Sequence, residues 1–383
     1  MTAREPVGSE TEGTRSRPYD VVVIGGGQAG LAAAWHLGRQ GLRYLVLEAA
    51  DQLGSTWRAR WDSLRLFTPA EYDALPGMPF PEPAGTYPGK EAVADYLRRY
   101  AEAADLNVAL NARVTGLRRT GAGFEVRTAE RTVHAGQVVV ATGPFQVPFI
   151  PSAADGLDDS VAQVHSSRYR DPASLPEGSV LVVGGGNSGF QIAEELAGTR
   201  EVDLSIGTDY PVLPQRLLGR DLFWWAGLLR LTRVTAHSRL GRRMQARGEF
   251  VIGSNRGGLE SAGVRFRPRL VDTVGRTARF ADGSTRDIDV VVWATGYRSD
   301  HSWIDIPDVL RDGRVVHRRG VTEVPGLYFL GLSWQHTRGS ALLGFVGEDA
   351  AHVADLARRR AVDPGPRSPV RDRGGPRISA IGS

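Results

Sequence analysis

A run of four apolar residues, 21–24, leads directly into a glycine-rich turn and then into good helix formers. The run is apolar at every position rather than at alternate positions, which is typical of a strand buried on both faces of a parallel sheet. Residues 31–37 predict a buried helix. The next apolar run, Tyr44–Leu47, ends in Glu48. This pattern predicts the strand–turn–helix–strand unit of a doubly wound α/β fold.

The same unit occurs again in the middle of the chain. Residues 178–183 lead into a second glycine turn, and residues 190–197 and 201–206 follow as helix and strand. Two other strands, residues 137–140 and 289–293, both run into Ala-Thr-Gly and flank this second unit. The repeat predicts two nested Rossmann-like domains, an outer domain at residues 19–150 and 294–360 and an inserted domain at residues 151–293.

The remaining pattern predicts smaller elements and two tails. Residues 90–103 have the periodicity of an amphipathic helix, and residues 113–128 and 131–135 are predicted to form short antiparallel strands. Residues 1–18 and 361–383 have no hydrophobic period and are rich in polar residues, proline and glycine. We expect both tails to be disordered.

Two segments have more than one interpretation. Residues 53–81 are too aromatic and too rich in proline for a helix, so they form either a packed irregular loop or a loop against a planar cofactor covered by Trp57 and Arg65. Residues 222–229 are the most hydrophobic stretch outside the strands, and they are too short to span a bilayer. They could form core, a substrate mouth, a dimer face or an interfacial anchor, and we favour core or a substrate mouth.

The first glycine turn has the chemistry of a dinucleotide site. The first glycine allows a sharp turn, the second lets a pyrophosphate approach backbone N–H groups, and the third permits close packing of helix on strand. Glu48, eighteen residues beyond the last glycine, can accept hydrogen bonds from the ribose hydroxyls. The residues predicted to bind at this turn are Gly25, Gly27, Gln28, Ala29 and Gly30.

The second turn differs from the first at the ribose position. The residue that corresponds to Glu48 is Gly207, followed by Thr208. Without a carboxylate to repel a 2′-phosphate, this site favours NADPH. Arg216 and Arg220 are the nearest candidates for the phosphate, although they could equally be surface arginines. The residues predicted to bind at this turn are Gly184, Gly186, Asn187, Ser188 and Gly189.

Composition narrows the possible functions. At 383 residues with 41% apolar content, the chain is long enough for two cores. The absence of cysteine excludes disulfides, thiolate metal sites and a dithiol redox relay. The eight histidines lack the spacing of metal ligands, so no metal is expected.

Charge and hydropathy bear on partners and location. The net charge is only +4, with Lys90 as the single lysine, which does not indicate nucleic-acid binding. No run approaches the roughly 20 apolar residues of a membrane span, and the first 18 residues lack the apolar core of a signal peptide. We therefore expect a cytoplasmic protein.

With its two glycine turns, two Ala-Thr-Gly strands and the ending at residues 326–344, the chain resembles the flavin-containing (class B) monooxygenases, and most closely the compact bacterial relatives of the plant YUCCA enzymes. The resemblance covers residues 19–360. It implies FAD at the first turn with Glu48 and NADPH at the second, with residues 331–340 along the flavin. Further cofactor-binding residues are expected at Thr142, Gly143, His165, Ser166, Thr295, Gly331, Trp334 and Gln335.

The sequence departs from the family pattern at two places. Of the family's identifying motif only the second half, from His165 to Tyr169, is present, while Asp159 and Val161 occupy its Phe and Gly positions. The tyrosine ending is similar to the heteroatom-oxidising branch. In that branch many members have Thr-Asn where this chain has Thr68 followed by proline.

The resemblance implies a cofactor-based reaction. NADPH reduces FAD, O₂ adds to give a C4a-(hydro)peroxyflavin, and one oxygen passes to a small organic substrate, either an amine or sulfide or a carbonyl carbon. By position and hydrogen-bonding capacity, Thr68 and Gln335 are the candidate catalytic residues. Water would be excluded by Trp57, Phe67, Trp334 and Phe345, and the substrate pocket could be walled by Trp224, Trp225 and Phe345.

Two other functions fit the same motifs. A flavin reductase or oxidase without oxygen insertion would need the same cofactors, although the lack of cysteine excludes a dithiol relay. A non-catalytic nucleotide sensor is less favoured, because both turns keep all their glycines. A homodimer is only the general expectation for such a chain.

Overall fold

The computed structural model describes residues 18–363. The predicted tails therefore lie almost entirely outside the described residues. Where the second tail was predicted to begin, the last helix continues to Val362 instead. No helix in the described part of the chain is long and apolar enough to cross a membrane.

The helices, numbered along the described chain, are α1 (Gln28–Arg39), α2 (Ser55–Arg58), α3 (Lys90–Ala103), α4 (Asn187–Ala197), α5 (Leu222–Leu228), α6 (Arg239–Ala246), α7 (Arg256–Ser261) and α8 (Gly347–Val362). Helix α3 has the bounds that its periodicity predicts. Helix α1 begins directly after Gly27 and helix α4 directly after Gly186, as the repeat requires.

The strands are also numbered along the chain. Eight form the first sheet: β1 (Tyr19–Ile24), β2 (Tyr44–Leu47), β3 (Val108–Ala109), β4 (Val114–Thr120), β5 (Gly123–Thr128), β6 (Thr132–Val140), β21 (Ile304–Asp305) and β24 (Leu327–Phe329). Five form the second: β8 (Ala162–His165), β9 (Val180–Val183), β10 (Val202–Ser205), β15 (Arg265–Arg267) and β19 (Val290–Trp293). The others form short ribbons: β7 (Val147–Pro148) with β20 (Tyr297–Arg298), β11 (Val212–Leu213) with β14 (Val251–Ile252), β12 (Arg216–Leu217) with β13 (Arg220–Asp221), β16 (Leu270–Val274) with β17 (Thr277–Phe280) and β18 (Thr285–Asp287), and β22 (Leu310–Arg311) with β23 (Arg314–Val315).

The first sheet combines a parallel and an antiparallel part. Strands β3, β2, β1, β6 and β24 are parallel neighbours, and β4, β5 and β6 form an antiparallel meander. Strand β6 is continuous, whereas its sequence predicts two separate runs. Its first half alternates between buried and exposed positions and its second half is buried throughout, because its neighbours change from β5 alone to β1 and β24.

The second sheet is parallel throughout, in the order β15-β10-β9-β19-β8. Strands β9, β10 and β19 are buried along their whole length, as parallel strands covered on both faces must be. One apolar cluster, which includes Phe190 and Ile192 of α4, covers one face, and a second cluster around Trp293 and Phe280 covers the other. This sheet therefore has its own core.

The two sheets are nested along the chain. Strands β6 and β24 are neighbours in the first sheet, yet the whole second sheet lies between them in sequence. The chain crosses between the sheets twice, and the two crossing segments pair as β7 and β20, with Phe149 N donating to Gly296 O at 3.0 Å. The predicted α/β fold class with two nested Rossmann-like units is confirmed. The domain boundaries that we assigned to it stay predictions.

Candidate functional site

The two glycine turns have the same backbone geometry. Gly25 has φ +108° and Gly184 has φ +132°, a region that side chains rarely adopt. A Cβ atom on Gly25 would lie 2.6 Å from the carbonyl oxygen of Ala141, and one on Gly184 would lie 2.2 Å from that of Ala294. In both units the turn thus packs against the end of the strand that runs into Ala-Thr-Gly, where only glycine fits.

The other glycines of each turn divide into a packed and an open position. A Cβ atom on Gly30 or Gly189 would lie 1.9 Å from the carbonyl oxygen of the first glycine of its turn, so both are needed for packing. Gly27 and Gly186 have no heavy atom within 4 Å of a Cβ position. They face open space at a helix N-terminus, which is the position where a pyrophosphate would bind. Both turns therefore fit a dinucleotide.

The first side chain of each helix supports a neighbouring segment. Gln28 donates through Nε2 to the carbonyl oxygen of Ala341 at 3.3 Å. Asn187 donates through Nδ2 to Phe250 O and accepts through Oδ1 from Ile252 N, both at 2.9 Å. These amides hold the C-terminal loop and residues 250–252 near the two turns. The predicted cofactor contact of Gln28 and Asn187 stays a prediction.

The two units differ in charge at the predicted ribose positions. Glu48 accepts from Gly26 N at 2.5 Å and from Ala50 N at 2.9 Å, which fixes its carboxylate beside the first turn. Gly184 N donates to Ser205 O as Gly25 N donates to Leu47 O, so the residue that corresponds to Glu48 in the structure is Ile206, one position before the Gly207 that spacing indicated. Arg269 donates through Nη2 to Gly207 O at 3.0 Å. The second unit therefore has an apolar side chain in place of the carboxylate, with a guanidinium at the next residue.

Arg269 is an arginine near the second turn that sequence reasoning missed, and the phosphate contact that we expected of Arg216 or Arg220 stays a prediction. Arg216 lies on the β12–β13 hairpin and donates to Gly219 O, and Arg220 lies over the ring of Trp224. Neither contacts the second turn or Gly207. Arg269 follows β15, the strand beside β10, and this neighbourhood depends on a strand order that the sequence does not reveal.

The Ala-Thr-Gly segments build the crossing between the sheets. Thr142 Oγ1 accepts from Gln146 Nε2 at 2.9 Å, and Gly143 has φ +71°. Thr295 Oγ1 donates to Phe149 O. The hydroxyls of both threonines thus bond within the crossing segments, and the predicted contact of Thr142, Gly143 and Thr295 with a cofactor stays a prediction.

His165 connects two segments of the same crossing. It is buried at the end of β8, where Nε2 donates to Gly296 O at 3.0 Å and Nδ1 lies 2.9 Å from Ser167 Oγ. Its ring meets Tyr297 edge to face, with centroids 5.0 Å apart, and burial lowers its pKa, so the ring is neutral at pH 7. Both ring nitrogens are occupied and Ser166 is buried, and the predicted contact of these two residues with a cofactor stays a prediction.

The aromatic loop after β2 is packed between the two units. Trp57 is half-buried and touches the cores of both sheets. Lys90 is buried and donates to Asp62 Oδ1 at 2.5 Å, which holds the loop to α3. Arg65 is exposed, and its carbonyl oxygen accepts from Gln191 of α4 at 3.2 Å. The interpretation as a packed loop is supported, and a cofactor contact by Trp57 or Arg65 stays a prediction.

Thr68 is paired with a carboxyl that sequence reasoning missed. Its Oγ1 donates to Asp73 Oδ1 at 2.6 Å, and both side chains are buried. Burial raises the pKa of Asp73 to about 7, and its Oδ2 has no partner in residues 18–363. Asp73 lies between Tyr72 and a proline-punctuated loop, so no periodicity marked it as buried. A Cβ atom on Gly344 would lie 1.8 Å from the carbonyl oxygen of Tyr72, so the backbone of Tyr72 packs directly against this glycine.

The C-terminal loop approaches the first turn. A Cβ atom on Gly331 would lie 2.8 Å from the Cβ of Ala29. Trp334 has φ +56°, a strained conformation for a large side chain. Gln335 is buried, its Oε1 accepts from Leu332 N at 3.3 Å, and its Nε2 has no partner in the described residues. An unpartnered buried donor fits a site that is completed by a ligand.

The same loop carries a cation close to the second turn. Arg338 lies over the ring of Phe250 at 4.5 Å, and the backbone of Phe250 is bonded to Asn187 at the start of α4. Burial lowers the pKa of Arg338, its nearest carboxylate, Glu249, is 3.6 Å away, and its Nε has no partner in the described chain. A half-paired guanidinium here fits an anionic cofactor, and sequence reasoning did not single it out.

Aromatic rings from three segments meet beside these loops. The cluster consists of Phe67, Tyr72, Phe223 and Phe345, with centroids 5.9 to 6.4 Å apart. Trp224 and Trp225 turn away from it, and Trp224 is 38% exposed. The predicted wall residue Phe345 is in the cluster. Phe223, rather than the two tryptophans, is the inward ring of α5.

Comparison with known proteins identifies relatives along most of the chain. Residues 22–209 match the family described as pyridine nucleotide-disulphide oxidoreductase. The chain is 45% identical to a CzcO-like oxidoreductase of Geobacillus kaustophilus, over 87% of this chain and 97% of the relative. It is 29% identical to the indole-3-pyruvate monooxygenase YUCCA1 of Oryza sativa subsp. japonica, over 87% of this chain and 90% of that protein.

A solved structure shares the fold. The flavin-containing monooxygenase from Stenotrophomonas maltophilia is 29% identical and aligns with 90% of this chain and 99% of its own, with a TM-score of 0.76. FAD and NADPH, the cofactors expected from the two turns, agree with these relatives. The chain therefore belongs to the family of flavin-dependent oxidoreductases that contains the CzcO-like oxidoreductases and the YUCCA-type flavin monooxygenases.

Proposed function

We propose that the protein is an NADPH-dependent flavoprotein monooxygenase that inserts one oxygen atom of O₂ into a small apolar substrate. The observation that carries the proposal is the pair of matching turns with different charges beside them, the Glu48 carboxylate at the first and the Arg269 guanidinium, bonded to Gly207, near the second. A free 2′-hydroxyl suits the carboxylate and a 2′-phosphate suits the guanidinium. Related chains with monooxygenase in their names support the reaction class.

Bound FAD and NADPH would supply the hydride transfer and the activation of O₂. The residues of the chain would bind and orient these two cofactors. Gly27 leaves the space for the FAD pyrophosphate and Glu48 accepts from the ribose. The Ser188 hydroxyl, at the start of α4, has no hydrogen-bond partner among the described residues and is available to the NADPH pyrophosphate beside the open position of Gly186.

Thr68 and Gln335 have complementary hydrogen-bonding capacity. The Thr68 hydroxyl donates to Asp73, so only its oxygen lone pairs remain available as acceptors. Gln335 holds its oxygen on Leu332 and has a free amide N–H. We assign Gln335 as a donor and Thr68 as an acceptor toward the reacting groups, with Asp73 as the residue that positions Thr68.

The aromatic cluster supports an apolar substrate. The four rings come from both units and from the C-terminal loop: Phe67, Tyr72, Phe223 and Phe345. Together they form an apolar wall that no single segment could form. The only polar atom among these four side chains is the hydroxyl of Tyr72. Such a wall excludes water from the site and favours an amine, sulfide or ketone with a hydrocarbon or aromatic body.

The test is a measurement of stoichiometry with the FAD-loaded protein. Under labelled O₂, NADPH consumption, hydrogen peroxide and oxygenated product are measured with a panel of amines, sulfides and ketones. A monooxygenase gives one labelled product molecule for each NADPH oxidised with at least one class of substrate. NADPH oxidation that yields only hydrogen peroxide or a reduced quinone across the panel would contradict the proposal and favour a flavin reductase or oxidase.

A further inference from the structure

Exposed apolar side chains are concentrated in one region of the protein. Of the fifteen large hydrophobic residues that are exposed in residues 18–363, eight lie between residues 212 and 240. Six of them form what we call the leucine patch: Leu217, Leu218, Trp224, Leu228, Leu229 and Leu231. An apolar surface of this kind is typical of an interaction site.

The leucine patch is contiguous. The β12–β13 hairpin is held against α5 because Trp225 Nε1 donates to Leu217 O at 2.9 Å. Leu218, at the hairpin tip, has φ +50° and is 82% exposed, so it protrudes from the surface. Trp224 and Leu228 are four residues apart and share the outer face of α5, while Phe223 faces inward.

The segment that carries the patch also carries unpaired positive charge. Residues 216–247 contain eight arginines, one aspartate and no other charged residue, so the segment's net charge of +7 exceeds the +4 of the whole chain. All eight arginines are exposed, and none forms an ion pair within the described part of the chain. The one acid, Asp221, bonds to Tyr87 and to the backbone of Phe223. The positive field is therefore not neutralised locally.

From the protruding leucines and unpaired arginines together, we propose that residues 216–247 dock the protein on the surface of a bilayer that contains anionic phospholipid. Leucine and tryptophan side chains enter the interface between headgroups and acyl chains, while exposed arginines of the same segment attract the phosphates. A second copy of the chain fits less well, because a symmetric contact would bring two segments of +7 together. Docking of this kind needs no membrane span.

Docking would also place the proposed substrate site at the membrane. Phe223 is buried in the aromatic cluster, whereas its neighbour in α5, Trp224, is exposed in the leucine patch. One short helix thus separates the docking surface from the cluster, and an apolar substrate dissolved in the bilayer would have a short path to it. This consequence rests on the proposed function, whereas the docking itself does not.

The test is sedimentation of the full-length, FAD-loaded protein with vesicles of phosphatidylcholine, with and without phosphatidylglycerol. The first variant combines Leu218→Ser, Leu228→Ser and Leu229→Ser, with Val274→Ser, at a position that is 72% exposed, as its matched control. The second combines Arg230→Ala, Arg233→Ala and Arg243→Ala, with the exposed pair Arg311→Ala and Arg314→Ala as control. Bound flavin and circular dichroism verify that each variant is folded.

We expect binding only to the anionic vesicles, and weaker binding in high salt. The arginine variant should lose affinity on the order of 100-fold at low salt, and the leucine variant should lose at least about tenfold, while both controls bind like the wild type. Docking is overturned if the wild type ignores anionic vesicles, or if the controls lose as much affinity as the variants. Light scattering that shows a dimer dissociated by the leucine variant, or vesicle binding replaced by capture of an acidic protein, would likewise overturn it.

Discussion

Asp73 shows how one buried carboxyl affects the pH dependence of stability. Its side chain is fully buried and accepts only from Thr68 in the described residues. Burial raises its pKa to about 7, so the folded protein keeps a proton that the unfolded chain loses near pH 4. The free energy of unfolding therefore falls as the pH rises from about 4 to about 7. Above pH 7 it stays lower by the full cost of burying the charged carboxylate.

Asp73→Asn should remove this dependence. The amide still accepts from Thr68 and carries no charge, so at pH about 8 the variant should be more stable than the wild type by up to about 4 kcal/mol, and the difference should shrink toward pH 5. Urea unfolding at pH about 8 and at pH about 5 measures the difference in stability between variant and wild type, with the exposed Asp312→Asn as control. A stability difference between variant and wild type that is independent of pH would contradict the assignment.

Arg269 is the residue that we expect to select NADPH. Arg269→Ala should weaken the binding of NADP⁺ about 10- to 100-fold, the value of a charge-assisted hydrogen bond, and should leave the weaker binding of NAD⁺ unchanged. Titration calorimetry with 2′,5′-ADP and with 5′-AMP measures the effect without turnover. Arg216→Ala, which removes an exposed arginine of the hairpin, is the control. Equal losses for both nucleotides would show that Arg269 only supports the fold.

The two turns offer a matched pair of substitutions. Gly27 and Gly186 precede helices α1 and α4 in extended backbone conformations that any residue can adopt, and a Cβ atom there has no atom of another segment within 4 Å. Valine at either position should therefore leave the fold intact and occupy the space of a pyrophosphate. We expect Gly27→Val to abolish FAD binding, and Gly186→Val to keep FAD and raise the Michaelis constant for NADPH at least tenfold.

Flavin absorbance and the rate of flavin reduction at several NADPH concentrations separate the two results. Ser188→Ala is the milder companion of Gly186→Val, because it removes one hydroxyl without filling the space. If Gly186→Val also loses FAD while its circular dichroism is unchanged, then the two turns do not bind separate cofactors.

Local sequence patterns predicted most of the helices, strands and turns within each unit. Helix α3, the strands of both parallel cores and both turns follow from periodicity and glycine spacing, because each is determined by neighbours in sequence. Arg269, Asp73 and Arg338 could not be found in this way. Their environments are created by the order of strands and by loops from distant parts of the chain, such as the contact of Arg338 with Phe250. Likewise, hydrophobicity marked α5 without revealing that Phe223 is inside and Trp224 outside.

The whole molecule depends on the crossing that joins its two sheets. His165 bonds the end of β8 to Gly296, and the β7–β20 ribbon ties the outgoing and returning segments together. Within each sheet the core is separate, with apolar clusters of its own. Cooperative unfolding of the two units therefore relies on the crossing, on the loop around Trp57, which touches both, and on the aromatic cluster to which both units contribute.

His165→Phe tests this coupling. The phenyl ring can keep the edge-to-face contact with Tyr297, but both hydrogen bonds are lost and the buried Gly296 carbonyl has no donor from this side chain. We expect a loss of about 2 kcal/mol in the free energy of unfolding. Because the lost bond to Gly296 ties the end of β8 to the returning crossing segment, we also expect near-ultraviolet dichroism and flavin release to follow separate urea transitions where the wild type shows one. A single transition shifted to lower urea would mean that the loop around Trp57 and the aromatic cluster are enough to couple the two sheets.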